Sequence, residues 1–142
     1  VNTDARQRLE TLLDREIQLA EELAATLIRE RDALTGSEAS EVAALAENKV
    51  RLLADFASLE NERLRLWEPP VGEFTQSVAA RWRALMQIMA RCRTANDING
   101  YMINVRRHQV GQLINILRGG SAVTYGPEGK TFVKALRALA RA

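Results

Sequence analysis

A single cysteine, Cys92, is all this 142-residue chain has, which excludes an internal disulfide and any multi-cysteine metal site within one chain. Cys92 is expected to be a small buried hydrophobe rather than a reactive thiol. Only three prolines and 5% aromatics occur, with Leu, Ala, Arg and Glu prominent, so helices are favoured and a β-rich fold is not expected. No apolar run approaches the roughly 18 residues that would span a bilayer. The opening VNTDARQRLE is too polar for a signal peptide, so the expectation is a cytoplasmic protein with no stable membrane insertion. The sequence also lacks G-x-x-x-x-G-K, G-x-S-x-G, H-E-x-x-H and any cluster at metal-ligand spacing. The lone histidine, His108, is flanked by Arg106 and Arg107 and reads as a solvated surface residue rather than a general base. Neither an enzyme nor a cofactor is expected.

What is present is ordinary for one soluble domain: 46% apolar and 27% charged residues. The net charge of +2 conceals opposed halves. Residues 1–68 carry 15 acids and 9 bases, a net of −6, while residues 69–142 carry 3 acids and 11 bases, a net of +8. Such halves pack on each other or meet differently charged partners.

Apolar spacing of three and four predicts a long helix over about 4–34, with Leu9, Leu12, Leu13, Ala20, Leu23, Ala24 and Leu27 on one face. Glu16 and Arg31 intrude on that face. Thr35-Gly36-Ser37 predicts a short link and therefore an antiparallel neighbour. The second helix is expected over about 38–67, with Val42, Leu45, Ala46, Leu53, Phe56, Ala57, Leu64 and Trp67 as its core stripe and with Lys49 and Glu60 interrupting it. The run WEPPVGEF then forbids continuation, and Thr75 can cap a third helix.

Asn96-Asp97-Ile98-Asn99-Gly100 looks like a turn, since its residues are poor in helix interiors. Yet alternating steps of four and three from Val78 run through Trp82, Leu85, Met89, Cys92, Asn96, Asn99, Ile103, Arg106, Val110 and Leu113 to Leu117 without losing phase. One helix over 75–118 is therefore predicted, with Asn96 and Asn99 in the seam and Gly100 permitting close backbone approach. Asparagines there act as register devices, and replacing both with Leu is expected to keep or raise stability. Lys49 and Glu60, with Glu16 and Arg31, are candidates for a buried charge network.

At about 1.5 Å per residue the third helix is roughly 66 Å long, against roughly 45 Å for each of the others. Its end must overhang from near Val105, where Ile98, Met102, Val105 and Ile116 make the far side apolar too. A second partner is expected for that side, from elsewhere in the chain or from another protein. Gly119-Gly120, SAVTY and the turn YGPEG lead to a basic amphipathic segment over 130–142 with Phe132, Val133, Leu136, Leu139 and Ala140 on its apolar face. So short a helix is marginal alone. The expected architecture is thus all-α: an elongated antiparallel three-helix bundle or coiled coil over 1–118, with 119–142 as a hinge and a mobile amphipathic arm anchored by Tyr125.

Several stretches resemble the FlgN family of flagellar export chaperones. In NKVRLLADFASLENERLRL, the residues Lys49, Leu52, Leu53, Leu59, Glu60 and Arg63 follow a K-x-x-L-L…L-E-x-x-R pattern. Asn96, Asn99, Gly100 and Ile103 match N-x-x-N-G-x-x-I, and Tyr125, Gly126 and Gly129 match Y-G-x-x-G; Pro127 and Glu128 depart from the usual turn. The order agrees across nearly the whole chain. The resemblance implies a cytoplasmic type III export chaperone for the hook-filament junction proteins FlgK and FlgL, docking on the FlhA gate and the ATPase complex, with cargo bound at the C-terminal end. The candidate partner-binding residues are then Ile98, Met102, Val105, Ile116, Tyr125, Phe132, Val133, Leu136 and Leu139.

The +8 half also suggests nucleic acid, and the basic arm a membrane surface. The arginines are scattered and no aromatic stacking platform accompanies them, which disfavours nucleic acid. A helical protein whose only role is oligomerisation remains the plain alternative.

Overall fold

The computed structural model describes residues 3–36, 39–67 and 75–119. They form three helices, α1 (Thr3–Gly36), α2 (Ala39–Leu66) and α3 (Gln76–Leu117), with no strand among the described residues, so the all-α bundle expected from the apolar spacing is what is found. The segment 120–142, with Tyr125, Phe132, Val133, Leu136 and Leu139, lies outside the described residues.

Cross-helix bonds give the directions. Glu30 meets Lys49 and Glu16 meets Arg63, so α1 and α2 run antiparallel. Lys49 meets Asn96 and Trp67 meets Trp82, so α2 and α3 are antiparallel as well. Asp14 pairs with Arg81 and Leu27 with Asn99, so α1 and α3 run in the same direction. The central helix is α1, which packs along both others, whereas α2 and α3 meet mainly through long side chains. Its wide buried face follows from that position: Leu9, Leu13, Ala20, Leu23 and Leu27 all lie in one core cluster with Leu53, Phe56, Leu85 and Met89.

The α3 helix begins at Thr75, whose hydroxyl accepts a hydrogen bond from Val78 N at 3.3 Å, an N-cap that satisfies one of the helix's orphan donors. It then runs unbroken through Asn96–Gly100, because Asn96 and Asn99 are buried and their side chains bond across helices instead of competing with their own backbone. At the far end Arg118 N donates to Ile114 O, and Gly119 takes a positive φ of 76°, which glycine adopts without strain.

Two positions in α2 differ from the expected stripe. Leu64 is 42% exposed and Arg63 is buried in its place. Glu60 is not in the seam: it sits on the rim, its carboxylate 3.7 Å from Arg63 Nη2. The buried positions are Lys49, Leu52, Phe56, Leu59 and Arg63, in steps of three and four, and Glu60 falls about 100° past Leu59 on the helix.

Candidate partner-binding site

Two buried ion pairs hold the helices in register. Lys49 Nζ on α2 lies 3.1 and 3.0 Å from the two carboxylate oxygens of Glu30 on α1, and it donates to Asn96 Oδ1 on α3 at 3.1 Å. Asn99 Nδ2 donates to Glu30 Oε1 at 2.9 Å and to Leu27 O at 2.8 Å, while Arg31 Nε reaches Asn99 Oδ1 at 3.4 Å. All three helices therefore meet at one satisfied polar cluster, with Gly100 buried beside it. This accounts for the seam asparagines differently from an isolated register device: they complete the solvation of a buried charge pair, so Leu at either site would strip that pair of partners.

Toward the other end, Arg63 Nε donates to Glu16 at 2.9 and 3.1 Å. Its guanidinium lies 4.8 Å from the Trp82 ring centroid, and Trp82 packs edge-on against Trp67 with centroids 5.0 Å apart. Burial raises the Glu16 carboxyl above its ordinary value, with Arg63 pulling it back only in part. Glu30 was not singled out in the sequence, and Arg63 only as part of the family pattern, not as a buried charge. The signal was present in the three-and-four spacing that places Glu30 after Leu23 and Leu27, and Arg63 after Phe56 and Leu59.

These clusters clamp α3 along α1 only as far as α1 extends. Leu27 and Glu30 both pair with Asn99, so α1, which ends at Gly36, runs out beside about residues 105–108 of α3, and roughly the last ten residues of α3 project beyond it. On that projection Val110, Leu113, Ile114, Ile116 and Leu117 are between 43% and 78% exposed. Arg106 and the half-buried His108 occur among them, the latter with Nε2 3.2 Å from Gln112 Nε2.

Two recesses flank the root of the projection. One, of about 600 Å³, lies between the start of α2 and α3 and is lined by Val42, Ala43, Ala46, Ile103, Arg106 and Val110 among others. The second, of about 230 Å³, opens on the α1 side and is lined by Leu34 of α1 and by Tyr101, Met102 and Val105 of α3. Of the candidate binding residues, Ile116 is on the projection and 68% exposed, Ile98 is 42% exposed lower on α3, and Met102 and Val105 are half-buried at the second recess. The exposed Val110, Leu113, Ile114 and Leu117 add to the apolar end.

No group of three or more His, Cys, Asp or Glu arranged to hold a metal ion occurs among the described residues. No described helix is long and apolar enough to cross a membrane. Burial pushes the Cys92 thiol up to about 11, and its Sγ is 3.5 Å from Ala20 O.

Comparison with known proteins gives a single answer. Two curated relatives, each named "Flagella synthesis protein FlgN", from Salmonella typhimurium and Salmonella typhi, are 26% identical over 129 residues, covering 89% of this chain and 91% of each relative. No solved structure matches. The profile of the FlgN protein family spans residues 5–131, which takes in all three helices almost completely, and the chain belongs to that family.

Proposed function

We propose that this protein is a cytoplasmic export chaperone of flagellar synthesis, a binding protein rather than an enzyme, which holds FlgK and FlgL competent for type III export and presents them to FlhA and the ATPase complex. The observation that carries the reading is the projecting end of α3, where Val110, Leu113, Ile114, Ile116 and Leu117 are exposed in a chain whose family is FlgN. Each such side chain gains about 1.5–3 kcal/mol when fully covered, before ordering costs, so several together favour capture of a partner's apolar helix. The buried polar cluster serves the same end: Asn99 ties α3 to Leu27 and Glu30 of α1, so that the apolar end is presented and not folded away. Ile98, Met102 and Val105 extend the surface toward α1, and Tyr125, Phe132, Val133, Leu136 and Leu139 belong to it as positions further along the chain.

The test is titration calorimetry of the protein against helical peptides from the termini of FlgK and FlgL. Binding that falls at least tenfold in Leu113→Glu/Leu117→Glu, with helicity unchanged by circular dichroism, supports the proposal. Absence of binding by the unmodified protein to either peptide would refute it.

A further inference from the structure

The support under α3 stops before the helix does. From His108 to Leu117 the chain stays helical beyond the end of α1, yet Val110, Leu113, Ile114, Ile116 and Leu117 are between 43% and 78% exposed, so little packing holds this segment. Left to itself, a helix of that length is marginal: water alone sustains helices only from roughly 12–15 residues, even in alanine-rich sequences.

The composition of the segment weakens it further. His108, Val110, Gly111, Ile114, Asn115 and Ile116 all come from the weaker half of the helix scale, and no alanine, glutamate, lysine or arginine stands among them. Valine and isoleucine lose rotamer freedom against the preceding turn, and glycine leaves the backbone free. The clamped part of the same helix is built differently, since RWRALMQIMARCRTA over residues 81–95 is dominated by Ala, Leu, Met, Gln and Arg. Strong helix formers thus lie where α1 supports α3, and weak ones where it does not.

Gly111 is the clearest case. It sits in helical backbone, unlike Gly119 with its φ of 76°, and a Cβ added to it would meet nothing within 4 Å. Neither conformation nor space calls for a glycine there. Its physical effect is to lower the stability of the turn around it. The helical form is nevertheless a defined state with a capped end: Arg118 N donates to Ile114 O and Gly119 N to Ile116 O, each at 3.0 Å.

We infer that the tip of α3, residues 108–117, is a folding switch: it exchanges between helix and unwound chain in the free protein, the bound partner helix completes it, and Gly111 keeps the two states close in free energy. The inference rests on the proposed chaperone reading and adds how its binding surface is regulated. Asn99 fixes the root of the projection, so the exchange is confined to the tip. A partner that lies on Val110, Leu113 and Leu117 supplies the packing that α1 does not, and only the helical tip presents those three side chains on one face. Ordering the tip is subtracted from the binding free energy, so the partner is held less tightly than by a permanent helix and is released more readily.

The test combines hydrogen exchange, read by mass spectrometry, with calorimetry against the FlgK and FlgL helical peptides of the preceding section. In the free protein the amides of residues 108–117 should exchange far faster than those of residues 81–103, and they should become protected when peptide is bound. Gly111→Ala should slow their exchange in the free protein and tighten peptide binding about twofold to fivefold, the range that glycine's helix penalty allows. Ala90→Gly, at an exposed position of the clamped stretch, should change neither the tip's exchange nor the affinity. Strong protection of residues 108–117 in a free protein that binds peptide would overturn the inference and leave the chaperone reading standing. Unchanged affinity in Gly111→Ala would do the same, and weaker binding would show instead that the partner's backbone touches Gly111. Failure of the unmodified protein to bind either peptide would overturn the chaperone reading and completion by that partner with it.

Discussion

Lys49 and Glu30 face each other across α1 and α2 with their side chains 2% and 1% exposed, the ammonium 3.1 and 3.0 Å from the two carboxylate oxygens. Neither charge reaches water, so each depends on the other. Lys49→Met would leave Glu30 buried without its cation, and the unfolding free energy should fall by about 3–5 kcal/mol. Urea denaturation followed by circular dichroism measures this directly. A loss below about 1 kcal/mol would mean that the remaining partners of Glu30 suffice.

Asn99→Leu removes a donor to both Glu30 Oε1 and Leu27 O and an acceptor for Arg31. The leucine adds apolar volume but cannot solvate Glu30, and we expect a loss of about 1–3 kcal/mol. Thermal melts of the variant should therefore shift down. An unchanged or raised melting temperature would return Asn99 to the role of a dispensable register device.

The pair formed by Glu16 and Arg63 should respond oppositely to complete replacement. Glu16→Leu/Arg63→Leu removes both charges together, and the protein should be unchanged or more stable by about 1–4 kcal/mol at neutral pH, whereas Arg63→Leu alone should be strongly destabilising. The pH profile carries the sign. Because burial raises the folded carboxyl of Glu16 above its ordinary value, the native state holds that proton more tightly than the unfolded chain. The stabilisation from this group is fully present below the unfolded value and is lost as pH rises through the folded one. Relative to the double variant, the unmodified protein should therefore lose stability on going upward through that window. An opposite slope would show that Arg63 outweighs burial.

The Cys92 thiol, 1% exposed and pushed up to about 11, should resist alkylation in the native protein at pH 8. Iodoacetamide labelling followed by mass spectrometry should track global unfolding, accelerating by orders of magnitude in denaturant. Rapid labelling of the native protein would show that α1 and α3 open locally around Ala20.

Removing residues 120–142 should leave the helical signal of the three helices in place and weaken binding to the FlgK or FlgL peptide, since Phe132, Leu136 and Leu139 belong to the proposed surface. Calorimetry on the shortened protein provides the measurement. Unchanged affinity would confine the cargo surface to the bundle and the projecting end of α3.

Much of this architecture could be read without coordinates. Helix number, the Thr75 cap and the passage of α3 through Asn96–Gly100 all follow from short-range periodicity, because a helix places residues three and four apart on one face whatever it packs against. The root of the projection was readable too, from the difference in helix lengths. Family patterns in Lys49, Asn96, Asn99 and Gly100 pointed to the same residues that meet at the polar cluster, though not to what binds them together.

What tertiary structure alone decided is which charges go inside and where the open surface lies. Periodicity defines a stripe only to within about 100°, one residue's turn, so Glu60 and Arg63, or Leu64 and Arg63, compete for the same seam. The choice falls to Arg63 because Glu16, 47 positions away, stands opposite it once α1 and α2 are in register, and an arginine can be buried only where a carboxylate already waits. Lys49 is buried for the same reason by Glu30, and Asn96 and Asn99 by the pair that those two form. Likewise the alanines of α2 are unremarkable as sequence; they become one wall of a recess only because α1 stands between α2 and α3 and holds their backbones apart.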